Sequence, residues 1–205
     1  MKQIAKIACL LLGLAISNPF MKAENKKSMN IVFIGNSITA GALIADPAHD
    51  APPVKAALYL TKQPSVTSVK YSNQGVSGCT TTDYLPVTET LFPKARAAAD
   101  KFADETWATL IFSIMLGTND SANTGPNGAP ASPEKYEENM KAIINQLLAL
   151  YPNCKIVLNR PVWYSPNTYN GAMYLKEGLN RLQSYYPVLQ SLVEEYAKRF
   201  PGQVF

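Results

Sequence analysis

Three short turns in this chain put a hydroxyl, a glycine and a carboxamide where apolar runs end. Gly35-Asn36-Ser37-Ile38-Thr39 follows Ile31-Val32-Phe33-Ile34 directly. Gly75 and Asn119 stand in Ser72-Asn73-Gln74-Gly75-Val76-Ser77-Gly78 and Gly117-Thr118-Asn119-Asp120. Ser37 is the candidate nucleophile. Gly75 has no Cβ, so its N–H can approach a ligand oxygen closely. Asn119 offers an amide donor. With the Ser37 N–H, these groups make an oxyanion hole, in which each donor is typically worth a factor of ~10²–10³ in rate. Asp120 reads as a brace for its loop.

These residues need a scaffold that gathers strand exits on one edge. The pattern predicts strands over 31–34, 66–71, 108–116 and 155–159, and the start of another at 203–205. The third is apolar on both faces, as a central strand covered on each side must be. A helix over 133–151 has Ser132 as N-cap, Pro133 at its first position and Glu134 at the positive end of its dipole. Its Tyr136, Met140, Ile143, Ile144, Leu147 and Leu148 form one stripe. A second helix carries Val188, Leu189, Leu192, Val193 and Tyr196 on one face and stops at Pro201-Gly202. Weaker helical patterns cover 51–62 and 94–103. Strand-helix alternation implies an α/β fold with a parallel sheet and right-handed crossovers. Such a sheet presents its site at the C-terminal edge, where all three turns fall.

Other chemistries fit less well. The spacing from Gly35 to Gly41 lacks the lysine of a phosphate-binding loop, and Gly75-Val76-Ser77-Gly78 is not a dinucleotide fingerprint. Cys79 and Cys154 with one histidine match no familiar zinc spacing, so no metal or other cofactor is expected. Those two cysteines fall at opposite ends of the sheet and read as small buried thiols rather than a bridge.

Residues 1–23 differ in character. Lys2 and Lys6 precede a ten-residue apolar run, 7–16, too short to span a bilayer comfortably, with small residues after it. This reads as a secretory signal peptide, which predicts export to the periplasm or outside the cell. Its removal takes away Lys2, Lys6, Lys22 and Cys9 and no acid, so the formal net charge falls from +4 to +1. Neither nucleic acid nor, after cleavage, a membrane is an expected partner.

The three blocks together resemble the SGNH hydrolases, also called GDSL-like esterases, over about 29–205. Asn36 stands where many members have Asp. The resemblance implies a flavodoxin-like three-layer α/β/α fold and metal-free ester hydrolysis. Ser37 would attack the acyl carbon while Gly75 and Asn119 hold the oxyanion. It also implies a C-terminal Asp-x-x-His supplying the base, and no such block stands near the C-terminal end of this sequence. His49, the sole histidine, lies between the first and second blocks in a Pro-containing loop and reads as a rim residue. The expectation is that the domain is truncated, that the native product continues past Phe205, and that the 205-residue form is nearly inactive.

Arg160, Trp163 and Tyr164 follow the fourth strand and are candidate substrate contacts. Aromatic rings can carry a sugar ring, and Arg160 adds hydrogen bonds or charge. This stretch looks like that of bacterial carbohydrate esterases of the family, including sialate O-acetylesterases. The expected substrate is therefore an O-acetylated glycan. A lipase or thioesterase of the same fold, or a glycan-binding module without catalysis, is the alternative. Oligomeric state is not legible.

Overall fold

A computed structural model describes residues 26–205. The signal peptide expected over 1–23, and Cys9 with it, lie outside the described residues. The elements run β1 (Lys27–Gly35), α1 (Ser37–Ala40), α2 (Pro47–Asp50), α3 (Pro52–Thr61), β2 (Val66–Gly75), α4 (Phe92–Asp100), β3 (Ala108–Met115), α5 (Pro133–Leu150), β4 (Lys155–Leu158) and α6 (Leu175–Arg199). The four strands form one parallel sheet in the order β2-β1-β3-β4. The expected strand start at 203–205 is present as a parallel bridge of Val204 to Ile156 on the outer edge of β4. Two flanking backbone bonds, Ile156 N–H to Gln203 O at 2.7 Å and Leu158 N–H to Phe205 O at 2.8 Å, hold it there.

Alternation along the strands divides the sheet into two faces. Val32, Ile34, Phe112, Ile114 and Ile156 point to one side and form a single buried core with α4, α5 and α6. The stripe expected on α5 is wholly buried there, and the Ser132 hydroxyl accepts from Lys135 N–H at 3.2 Å as the helix cap. α6 is longer than its pattern suggested, 25 residues with Pro187 inside it. Proline removes a backbone donor from a helix. Leu182, Tyr185, Leu189, Leu192 and Tyr196 are buried on both sides of Pro187, and that packing carries the helix through. On the other face α3 lies over β2 and α1. Phe33, Ser113, Met115 and Asn159 there border a cavity of about 220 Å³ closed by Pro52, Pro53 and Ala56.

Register matters most for function. Gly35, the last residue of β1, pairs with Gly75 on β2 and with Met115 on β3. The strands β2, β1 and β3 therefore end side by side, and their exit turns meet. Cys79 follows β2 at this edge and Cys154 precedes β4 at the opposite one. Both are buried thiols, and burial pushes each up to about 12.

Candidate active site

Asn36 follows the first strand and caps α1, its Oδ1 accepting from Ile38 N–H at 3.0 Å. Ser37 is thus the first residue of a one-turn helix that Gly41 closes in the left-handed region at φ 80°. Ser37 is half-buried, just past the end of β1, and its N–H donates to no acceptor among the described residues.

Gly75 does not take the part expected of it. β2 runs to Gly75, four residues beyond its predicted end, so this glycine closes the strand rather than lining the loop. Its N–H donates to Asn73 Oδ1 at 2.9 Å. A Cβ added there would lie 2.3 Å from Ala40 N and 2.8 Å from Ala40 Cα. The missing side chain lets α1 rest on β2. Gly75 therefore positions the helix that carries Ser37, and its N–H is not free for an oxyanion.

A second glycine at this turn, Gly78, was not singled out from the sequence. It is exposed, has φ +79°, and an added Cβ would meet nothing within 4 Å. Its N–H is engaged by no acceptor among the described residues. The turn around it is pinned to the exit of β1. Val76 N–H donates to Gly35 O at 3.0 Å, and the Cys79 thiol donates to the same oxygen at 3.2 Å. The signal was present in the sequence as the second glycine of Gly75-Val76-Ser77-Gly78. Choosing between the two glycines required the true end of β2.

Asn119 is 4% exposed and joins the third exit to the second. Its Nδ2 donates to Cys79 O at 2.7 Å, beside Gly78, and its Oδ1 accepts from the Tyr174 hydroxyl at 2.6 Å. A carboxamide nitrogen carries two N–H bonds, so one remains for a ligand. Asp120 is a brace, as expected. Its Oδ1 accepts from Thr81 N–H at 2.9 Å and from the Thr81 hydroxyl, while its Oδ2 is buried without a partner. Burial outweighs those bonds and pushes the carboxyl up to about 6.

The remaining candidates separate. Tyr164 turns inward: its hydroxyl bonds Ser121 Oγ at 2.8 Å, and its ring meets Tyr174 edge-on at 5.2 Å. That engagement makes it a loop brace rather than an open platform. Arg160 is exposed, with its guanidinium 5.6 Å from the Tyr186 ring centroid. Trp163 is 56% exposed and Tyr169 72%. His49 sits on α2 with its side chain 81% exposed and its Nδ1 2.8 Å from Asp46 Oδ2. Ser37 Oγ has no hydrogen-bonded base among the described residues.

The profile of the GDSL-like Lipase/Acylhydrolase family matches residues 33–202. The chain belongs to that family, whose name defines its reaction class as the hydrolysis of acyl esters. No curated protein matches the sequence significantly. Solved structures share the fold. An aryl esterase of M. smegmatis superposes with a TM-score of 0.56 at 19% identity, covering 86% of this chain and 83% of its own. Axe2, an acetylxylan esterase from Geobacillus stearothermophilus, gives 0.53 at 22% identity, covering 84% and 74%. A protein of Streptococcus pneumonia, provisionally described as a platelet activating factor, gives 0.52 at 20% identity. The match covers 87% of this chain but only 64% of that one.

Proposed function

We propose that this chain is a serine esterase whose nucleophile is Ser37, with an oxyanion hole formed by the N–H groups of Ser37 and Gly78 and by Asn119 Nδ2. The observation that carries this reading is the Asn119–Cys79 bond, which draws the third strand exit onto the turn holding Gly78. Ser37 Oγ attacks the carbonyl carbon, and the π electrons move to the carbonyl oxygen, which those donors stabilise. Collapse of the tetrahedral intermediate releases the alkoxide and leaves acyl-Ser37, which water then hydrolyses. The serine proton passes to solvent or an added base, since no side chain among the described residues accepts it.

The substrate proposed is an O-acetylated carbohydrate, acted on after export. Exposed Trp163 and Tyr169, with Arg160 nearby in the chain, offer faces and donors suited to a sugar. A fold shared with an acetylxylan esterase is compatible with this. The test compares p-nitrophenyl acetate, butyrate and octanoate with an acetylated oligosaccharide, each against Ser37→Ala. Faster Ser37-dependent release of acetate than of butyrate or octanoate supports the proposal, and preference for octanoate rejects it. A glycan-binding module is the second reading, favoured by the lack of a hydrogen-bonded base at Ser37 Oγ among the described residues. It requires oligosaccharide binding that Ser37→Ala leaves intact and no Ser37-dependent turnover.

A further inference from the structure

Asn119 can act as an oxyanion donor only if its carboxamide keeps one orientation. Cys79 O can accept but not donate, so the group facing it at 2.7 Å must be Nδ2. The opposite end of the amide, Oδ1, then faces Tyr174, and at 2.6 Å the phenol must be the donor. The two contacts grip the amide plane from both ends. A strong donor on Oδ1 also draws electron density from the amide nitrogen, which makes its remaining N–H more acidic and a better donor.

The backbone around Tyr174 is built to hold it there. Met173 and Leu175, on either side, both take left-handed conformations, at φ 52° and 51°. Non-glycine residues resist that region, and two of them around one side chain persist only where the surroundings over-determine them. Those surroundings are visible. Thr124 N–H donates to Ala172 O at 3.2 Å, Leu175 N–H to Thr168 O at 3.0 Å and Gly178 N–H to Tyr174 O at 2.8 Å. The Tyr164 ring supports the Tyr174 ring, and the Tyr164 hydroxyl reaches Ser121 beside the same loop. The segment after β4 is thereby tied to the loop after β3 through the residue that touches Asn119.

From this we infer that Tyr174 is a positioning residue for the oxyanion hole, fixing and polarising Asn119 through its hydroxyl. The inference rests on the esterase reading. It explains why the aromatic segment after β4 packs against the active-site loop instead of standing wholly open to substrate.

The test is Tyr174→Phe in the full chain, which keeps the ring and removes the donor. One readout is the rate of Ser37 acetylation by p-nitrophenyl acetate as a function of ester concentration. The limiting rate falls roughly 10- to 100-fold while the half-saturating concentration changes less than about two-fold. In an Asn119→Ala background the same change has no further effect, because the residue it acts through is gone. A second readout is the side-chain carboxamide resonances of Asn119, assigned by their loss in Asn119→Asp. They shift in Tyr174→Phe, and their hydrogen exchange accelerates roughly ten-fold. If Ser37→Ala leaves ester consumption unchanged, the esterase reading fails, and the resonances alone decide the role of Tyr174. Unmoved resonances overturn the inference. So does an unchanged limiting rate with Ser37-dependent acetylation intact.

Discussion

Asn119 Nδ2 donates to Cys79 O across 2.7 Å, which fixes the turn after β3 against the turn after β2. Both groups are buried, so the bond is shielded from competing water. It defines how far the Asn119 amide stands from Gly78 and from the start of α1. Removing Asn119 therefore has two consequences. In Asn119→Ala, Cys79 O loses its donor and the Tyr174 hydroxyl its acceptor, costing about 1–3 kcal/mol of stability. Acetylation of Ser37 slows by ~10²–10³-fold. Denaturant titration and stopped-flow ester cleavage measure the two separately.

Gly75→Ala tests the assignment of Gly75 to packing. The new methyl would stand 2.3 Å from Ala40 N, which is backbone and cannot swing aside. Overpacking of this kind costs about 1–3 kcal/mol. Gly78→Ala meets no atom and costs about 1–2 kcal/mol, from the left-handed φ. Chemical denaturation should place Gly75→Ala at or below Gly78→Ala in stability, with α1 displaced in a crystal structure.

Asp120 gives a stability signature in pH. Its carboxyl titrates near 3.8 when exposed and at about 6 in the fold. Between those values the folded chain binds more protons than the unfolded chain, so this group makes stability fall as pH rises from about 4 to about 6. Integrated over that window the loss is of order 1–3 kcal/mol. Glu105, Glu134 and Glu195 are held below the usual carboxylate range and act in the opposite sense at lower pH. The difference between wild type and Asp120→Asn isolates the effect: the variant lacks the decline in urea midpoint between pH 4 and 6.

Much of this arrangement was legible in the sequence. Apolar runs located β1, β3 and β4, which pack against the core, whereas β2, an edge strand with many exposed residues, was located only over its first part. The α5 stripe located its helix because α5 packs on the core along one side. Ser37 and Asn119 stand out as candidates in the sequence because each lies in the turn that follows an apolar run. Gly75 and Gly78 could not be separated, because the last residues of β2, Ser72-Asn73-Gln74, are polar. They extend the strand through backbone pairing with β1 rather than through an apolar pattern. Tyr174 was invisible for a related reason. Its contact with Asn119 depends on how the segment after β4 folds back over 117–124, a tertiary contact with no local signature. Tyr164 was read as open because sequence shows an aromatic residue in a loop but not which way it turns.

The pH dependence of the reaction follows from the surroundings of Ser37. Among the described residues no base is bonded to its hydroxyl, so attack by Ser37 is expected to depend on hydroxide or a buffer base. The acetylation rate should keep rising with pH through about 9, without the plateau near neutrality that a histidine base gives. Imidazole in the buffer should accelerate it. His49→Ala should change the rate less than about two-fold and stability by less than about 0.5 kcal/mol, as an exposed residue does. A plateau near pH 7 that His49→Ala abolishes would show that His49 reaches the site.

The central claim is that Ser37 is the atom acylated. Mass spectrometry of the chain after brief exposure to p-nitrophenyl acetate tests it most directly. No base is hydrogen-bonded to Ser37 Oγ among the described residues, so the acetyl-enzyme should persist. The account predicts one acetyl group on the peptide containing Ser37, absent in Ser37→Ala and formed far more slowly in Asn119→Ala. Acetylation confined to surface lysines, or hydrolysis that continues undiminished in Ser37→Ala, would contradict it.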